Sequence, residues 1–315
     1  GGDALPIFRN RQPCFLGFCL IISVSTLQSL FVGQWADPQD IPPCGWVTSV
    51  IRIAVFLGTA ALSSRIASLS SHKAPLWVAC TLCTAGLALV MGSVSAGSPL
   101  PWLDALYVTG LAISAAGYAL LYLYWIELYA RMDLMHVIVY FALVHLLSAT
   151  VSFFISSLPV RGLMFACIVC MPLISSLLYT RSLRKSSDLP FMQGETPSSG
   201  WSIPWKPIVL LGTYTFANSF VRHFLVNDLK GAVLIGVMIA ATATIVLLAR
   251  RRERLSLRTL YASSLPLIVA ASLCVLIALP GFGTLGGTLS NAAYTLFSIY
   301  ATILLCNVAY RDGVG

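Results

Sequence analysis

The sequence predicts an all-α membrane protein, a polytopic bundle of about ten transmembrane helices. Hydrophobic residues make up 58% of the chain and charged residues only 10%, whereas a soluble domain carries roughly 25% charged residues. The apolar residues are also gathered into unbroken runs, each close to the ~20 residues that a helix needs to cross ~30 Å of hydrocarbon. Unbroken runs favour helices over membrane strands, because strands of a barrel alternate apolar and polar residues.

The apolar runs follow one another along the whole chain and are almost free of charge. Apart from Arg52 and a few residues at the edges, they contain no charged side chain, so we predict that each is one span. In order, they extend from Cys14 to Gly33, Cys44 to Ser63, Ala74 to Val94, Trp102 to Ile126, Asp133 to Leu158, Gly162 to Thr180, Trp205 to Phe224, Gly231 to Ala249, Thr259 to Ala278 and Leu285 to Val308.

The positive charges between the runs predict the orientation. Of the 19 Lys and Arg, Arg52 lies inside a run, and only Arg161, Arg222 and Lys230 lie in the gaps of one side. All others lie in the alternate gaps or at the chain ends. Because cytoplasmic loops retain Lys and Arg, the sequence predicts a multi-pass protein of the cell membrane with a cytoplasmic N-terminus. The net charge of +8 then needs no nucleic-acid-binding surface to account for it.

A long polar segment divides the runs. Residues 181–204 (RSLRKSSDLPFMQGETPSSGWSIP) are rich in Ser, Pro and Gly and carry positive charge. Six spans, a cytoplasmic linker and further spans resemble the layout of the major facilitator superfamily, in which two six-helix halves pack about an axis normal to the membrane. This resemblance implies a major-facilitator-like fold, with a first half at residues 1–180, the linker at 181–204, and an incomplete second half of four helices at 205–315. Ten of an expected twelve helices would then be present.

The sequence offers no basis for catalysis. It contains no GxxxxGK[ST], GxSxG or HExxH motif. Two cysteine pairs have CxxC spacing, but neither is joined by His or carboxylate ligands at a workable spacing. We therefore expect no enzyme activity, no metal site and no cofactor. The classes that remain are transport, sensing and a scaffold role.

Polar residues at membrane depth are the candidate ligand-binding residues, because they are costly in lipid and usually face a cavity or the bundle interior. Arg52 lies near the middle of the second run, about 12 Å past Cys44 by helix rise. A small anionic or polar ligand would take its charge from Arg52 and aromatic surface from Tyr118 and Tyr124. The full set of candidates is Arg52, Asp104, Tyr118, His145, Asn218 and Asn291.

Structural roles for the same residues stay open. Arg52 could hold two helices together through a hydrogen bond or through an ion pair with Asp104, and His145 could be a packing residue. Gly110, Ser114 and Gly117 form a stripe of small residues on one face of the fourth run. This stripe predicts close helix packing rather than a ligand site.

Two short segments resemble a family of regulators. The segment YWIELYAR at 124–131, with the run that begins near Asp133, and the segment NVAYRDGV at 307–314 resemble the N-terminal region of membrane-bound LuxR-type transcriptional regulators. In that family a twelve-helix, transporter-like sensor precedes a cytoplasmic helix-turn-helix domain. The resemblance implies a sensory region that meets membrane lipid, binds a small molecule, and reaches DNA only through a C-terminal domain not present in this sequence.

The alternative is a major facilitator secondary transporter of a small solute. Transporters of this superfamily carry a Gly-x-x-x-Asp-Arg-x-Gly-Arg-type motif between their second and third spans. Here residues 63–73 (SSRIASLSSHK) keep Arg65 but have neither the acidic residue nor the glycines. Asp104 and Glu127 are predicted at opposite edges of the fourth span, so no carboxylate is expected near the bilayer middle for proton coupling. Both features favour the sensor over the transporter.

Overall fold

The computed structural model describes residues 13–35, 45–62, 69, 73–96, 101–132, 134–185, 213, 229–250, 257–277 and 282–311, and these contain no strand. A 3-10 helix, Pro13–Gly17, leads into the first α-helix. The helices are α1 (Phe18–Trp35), α2 (Gly45–Leu62), α3 (Lys73–Ala96), α4 (Pro101–Ala130), α5 (Leu134–Ser156), α6 (Arg161–Lys185), α7 (Leu229–Arg250), α8 (Leu257–Ile277) and α9 (Phe282–Arg311). The predicted all-α class is confirmed for these residues. The predicted seventh span lies outside them, except for Thr213.

Several of these helices have the length and composition of membrane spans. Among the described residues, 5 helices are long and apolar enough to cross a membrane: Pro13–Trp35, Lys73–Ala96, Trp102–Ala130, His136–Ser156 and Arg161–Lys185. Shorter apolar helices cover Trp46–Leu62, Leu234–Leu247 and Ala262–Cys274. The structure is therefore consistent with an all-α membrane protein, and the total of ten spans stays a prediction.

The sixth helix is longer than its predicted span. It continues past Thr180 to Lys185, so the first residues of the predicted linker are helical, while the rest of that linker lies outside the described residues. Arg184 and Lys185 occupy its last turn, where positive side chains interact favourably with the carbonyl end of the helix. Helix α4 begins at Pro101. Proline lacks a backbone N–H, so it fits the first turn of a helix, where that N–H would have no partner within the helix.

Contacts divide the chain into two compact units. The first unit holds α1 to α4, the end of α5 from Val151, and α6; the second holds α5 as far as Thr150, together with α7, α8 and α9. The six-helix first half at residues 1–180 stays a prediction. In the second unit α8 and α9 pack through a cluster of Ile268, Ala293, Phe297 and Ala301.

Helices α3 and α4 approach each other closely on glycines. A Cβ added to Gly110 would lie 2.9 Å from the Cβ of Leu89, and one added to Gly86 would lie 2.7 Å from the Cα of Ser114. Gly117 faces the backbone of α3 in the same way. The small-residue stripe predicted from the sequence thus packs as expected. Since later residues of α4 face earlier residues of α3, the two helices run antiparallel.

Contacts at both ends of α1 fix the direction of α6. The hydroxyl of Ser175, in the second half of α6, donates to the carbonyl of Gly17 just before α1 begins, at 2.9 Å. At the other end, the guanidinium of Arg161 at the start of α6 lies 5.5 Å from the ring of Trp35, which ends α1. The two helices are therefore antiparallel. This agrees with the alternation that successive membrane crossings require.

Side-chain hydroxyls inside the apolar helices bond mainly to their own backbone. Ser23 donates to the carbonyl of Cys19, Thr244 to Ala240, and Thr150 to Leu146, each at 2.8 Å. A hydroxyl that bonds the carbonyl four residues earlier needs no water or partner helix. These side chains are accordingly compatible with a lipid environment, where every polar group must be satisfied within the protein.

Candidate ligand site

Arg52 lies between three helices of the first unit. Its Nη2 donates to the hydroxyl of Ser25 on α1 at 3.2 Å, and its guanidinium carbon lies 4.1 Å from the centre of the Tyr118 ring on α4. The side chain is half-buried, and its Nε is buried without a hydrogen-bond acceptor among the described residues. Arg52 is thus held by one neutral hydrogen bond and one aromatic face, which leaves most of its N–H groups for another partner.

The register between α2 and α4 brings Arg52 and Tyr118 together. Val47, near the start of α2, clusters with Leu111 of α4, and Arg52 meets Tyr118 further along both helices. The two helices therefore run in the same direction, as the second and fourth crossings of a membrane should. The contacts at Val47, Arg52 and Phe56 follow one another along α2, so the Arg52–Tyr118 contact is set by packing over several turns.

Aromatic rings continue from Tyr118 into the first unit. Tyr118 and Tyr122, one turn apart on α4, are stacked with ring centres 6.1 Å apart. Tyr122 also meets Phe56 of α2 at 6.3 Å and Phe18 of α1 at 5.1 Å. Arg52 therefore lies at one end of an aromatic surface. A guanidinium beside aromatic faces suits a small anion that also carries an apolar or flat part.

The structure does not form the ion pair between Arg52 and Asp104 that the sequence left open. Asp104 lies in the first turn of α4 and is exposed, and it precedes Tyr118 by about 20 Å along the helix. Among the described residues, Arg131 is paired with Glu127 at 2.5 Å, and neither Arg52 nor Asp104 is found in an ion pair. The other structural alternative, a hydrogen bond from Arg52 to a neighbouring helix, is present in the bond to Ser25.

Of the remaining candidates, Tyr124 lies in the first unit, and His145 and Asn291 lie in the second. Tyr124 is buried against Tyr179 of α6, with ring centres 5.5 Å apart, so it faces away from Tyr118 and supplies no surface there. His145 is half-buried on α5, with its ring 6.4 Å from Phe141. Asn291 is buried on α9 and donates from Nδ2 to the carbonyl of Gly287 at 2.7 Å. Asn218 lies outside the described residues.

Glu127 is a polar residue whose burial the sequence did not predict. Its side chain is only 9% exposed and pairs with Arg131, whose side chain is 33% exposed. The sequence predicts only that Glu127 lies at the edge of its span. The i, i+4 spacing of the two residues was a signal for this pair. Burial of the carboxylate is a result of the tertiary structure, which the spacing does not reveal.

Arg161 is the second residue that sequence reasoning missed. It was counted only as a loop charge, but it begins α6 and its Nη2 donates to the carbonyl of Val94 near the end of α3 at 2.5 Å. The rings of Phe31 and Trp35 on α1 lie 5.9 Å and 5.5 Å from its guanidinium. The sequence contains no local pattern that connects these three helices. Their meeting is a product of the tertiary fold.

Comparison with known proteins adds no identification. No model of a known protein family matches the chain, and no curated protein matches it.

Proposed function

We propose that this chain is the membrane-embedded sensory region of a LuxR-type transcriptional regulator, and that it binds a small anionic molecule at Arg52. The observation that supports binding is the state of Arg52: a half-buried guanidinium, in contact with Tyr118 and Ser25, without a carboxylate partner among the described residues. In this proposal the chain crosses the cell membrane several times, and ligand binding controls a cytoplasmic helix-turn-helix domain of the same protein.

The charge of Arg52 is the physical reason for choosing an anion. A guanidinium stays protonated at any physiological pH, and within a spanning helix it requires an anion, a dipole or water. Tyr118 offers the negative face of its ring and Ser25 offers one neutral acceptor. Together they stabilise the charge of Arg52 less than a carboxylate would. A carboxylate or phosphate group on a ligand would complete the site, and it could bind the planar fork through two hydrogen bonds.

The regulator part of the proposal rests on the segments 124–131 and 307–314 and on the absence of the transporter loop motif from residues 63–73. The cytoplasmic placement of the N-terminus rests on the distribution of Lys and Arg. The opposite directions of α3 and α4 and of α1 and α6 support the alternate crossings that this topology needs.

The test is ligand binding by purified protein in a detergent that carries no charge. Wild-type protein, Arg52→Ala and Arg52→Lys are heated with a panel of small carboxylates and phosphate esters, with benzoate as the first member. We expect the melting temperature of the wild type to rise with at least one anion. Arg52→Ala should lose that rise, whereas Arg52→Lys should keep part of it, because the charge remains without the bidentate fork. The uncharged amide of each active anion controls for non-specific effects.

Two outcomes would overturn this proposal. One is a wild-type protein that gains no stability from any anion of the panel. The other is a well-folded Arg52→Ala protein that gains as much as the wild type. In cells, a reporter of the regulated promoter that responds normally in a strain with normal membrane levels of Arg52→Ala would lead to the same conclusion.

A second candidate function, secondary transport, is favoured by Glu127. Its side chain, three residues before the end of α4, is 9% exposed and paired with Arg131; a largely buried carboxylate is the kind of group that proton-coupled transporters use. Uptake of the same anions into proteoliposomes under a pH gradient would decide between the two functions. Transport requires gradient-driven accumulation that Glu127→Gln abolishes, whereas a sensor binds the anion without accumulating it.

A further inference from the structure

Three helix ends of the first unit meet around Arg161. Helix α1 ends at Trp35, α3 ends two residues past Val94, and α6 begins at Arg161 itself. One arm of the guanidinium is fixed, since Nη2 donates to the carbonyl of Val94 at 2.5 Å. The guanidinium carbon lies 5.5 Å from the centre of the Trp35 ring and 5.9 Å from the centre of the Phe31 ring. The position and orientation of Arg161 are therefore determined by the fold.

Two buried hydrogen-bond donors at this point have no acceptor. The Nε of Arg161 and the Nε1 of Trp35 are both buried, and neither donates to any atom of the described residues. Arg161 also forms no ion pair with a described carboxylate. Leaving a buried N–H unpaired is unfavourable, and more so on a charged group. An oxyanion can accept from these donors and also pair with the positive charge, so it is a stronger acceptor here than water, which is neutral.

The position of these residues in the helices indicates where the acceptor comes from. Helices long enough to cross a membrane end near the headgroups, and Trp and Arg are typical of that level. At this depth the abundant anion is the phosphodiester of a phospholipid. We propose that Arg161 and Trp35 form a binding site for a phosphate oxyanion, with Val94 holding the other arm of Arg161 in place. This site is separate from Arg52 and does not depend on the proposed function.

The test uses protein purified in dodecyl maltoside, a detergent without phosphate. Phosphatidylglycerol is added stepwise, and the rise in melting temperature gives a titration midpoint. Diacylglycerol, which has the same tails and no phosphate, is the control lipid, and inorganic phosphate at constant ionic strength is the control for a soluble source. We expect the wild type to be stabilised by phosphatidylglycerol and not by diacylglycerol. Stabilisation by inorganic phosphate at similar concentrations would support the oxyanion site and identify a free anion as its occupant.

Three variants locate the effect. Arg161→Gln should raise the midpoint about tenfold or more, because a charge-assisted hydrogen bond is lost. Trp35→Phe keeps a smaller aromatic ring beside Arg161 and removes the indole N–H together with the rest of the pyrrole ring, so we expect a several-fold rise. Trp102→Phe, at an exposed Trp in the first turn of α4, is the matched control and should leave the midpoint unchanged.

Equal midpoints for the wild type, Arg161→Gln and Trp35→Phe would overturn the proposal. Trp35→Phe and Trp102→Phe leave the charge of the protein unchanged, so general attraction of the anionic lipid is the same in both, and a difference between them reports the indole N–H of Trp35. If Arg161→Gln does not fold, Trp35→Phe decides by itself, since it removes the indole N–H, leaves the charge of Arg161 in place and retains an aromatic ring beside it.

Discussion

Trp125 of α4 and Ser175 of α6 are joined by a buried hydrogen bond, with the indole Nε1 donating to the Ser175 hydroxyl at 3.0 Å. The same hydroxyl donates to the carbonyl of Gly17 at 2.9 Å. One side chain thus connects α4, α6 and the turn that leads into α1. Gly17 has no room for a side chain here, because an added Cβ would lie 2.6 Å from the Cβ of Leu178.

Replacing Ser175 with Ala should therefore destabilise the protein. The change leaves the buried N–H of Trp125 and the carbonyl of Gly17 without this partner, and each unpaired group costs about 1–3 kcal/mol. Ser182→Ala, on the same helix, is the control: Ser182 bonds only to the carbonyl of Leu178 four residues earlier, so little stability should be lost. Thermal unfolding in detergent measures both. Equal losses of stability from the two changes would show that the hydrogen bonds of Ser175 to Trp125 and Gly17 add no more stability than the local bond of Ser182.

The packing of α3 on α4 predicts different effects for two glycines of α3. Gly86→Ala should destabilise by about 1–3 kcal/mol, because the added methyl would meet the backbone of Ser114 and force the helices apart. Gly92→Ala meets no atom within 4 Å and replaces glycine by a better helix former, so it should be neutral or slightly stabilising. Melting temperatures of the two variants are the measurement. A Gly86→Ala protein as stable as Gly92→Ala would contradict the close approach of these helices.

Arg52 and Asp104 should behave as independent residues. In a double-mutant cycle with Arg52→Ala and Asp104→Ala, we expect a coupling free energy below about 0.5 kcal/mol, since residues far apart are additive. A cycle with Arg131→Ala and Glu127→Ala is the positive control, because those side chains form an ion pair, and its coupling should reach about 1–3 kcal/mol. Strong coupling between Arg52 and Asp104, comparable to that of the control pair, would restore the ion-pair interpretation.

The orientation in the membrane is tested by reporter fusions. With a cytoplasmic N-terminus, an alkaline phosphatase fused after Pro38 should be active, because that loop is outside, and one fused after Ser187 should be inactive. Both positions lie outside the residues that the structure describes, and the expectation comes from the distribution of Lys and Arg. The reverse pattern of activity would invert the topology and move Arg161 and Trp35 to the cytoplasmic face.

The sequence by itself determined the class of this protein and the position of most described helices. A low share of charge and unbroken apolar runs leave few alternatives to membrane helices, because backbone groups in lipid must be satisfied within each helix. The stripe of Gly110, Ser114 and Gly117 also indicated the close packing correctly, since small residues at helical spacing have few other uses in a membrane. That Arg52 needed a partner followed from its charge and depth alone.

Only the tertiary structure decided which side chains meet. Helical periodicity places a residue along its own helix and on one face, but it does not give the neighbouring helix or the register between the two. Arg52 therefore could not be assigned to Ser25 and Tyr118 rather than to Asp104 until α1, α2 and α4 were packed. For the same reason, the sequence did not predict the contact between Arg161 and Trp35, which are far apart in the chain. Such contacts depend on the sum of many packing interactions, and no local pattern encodes them.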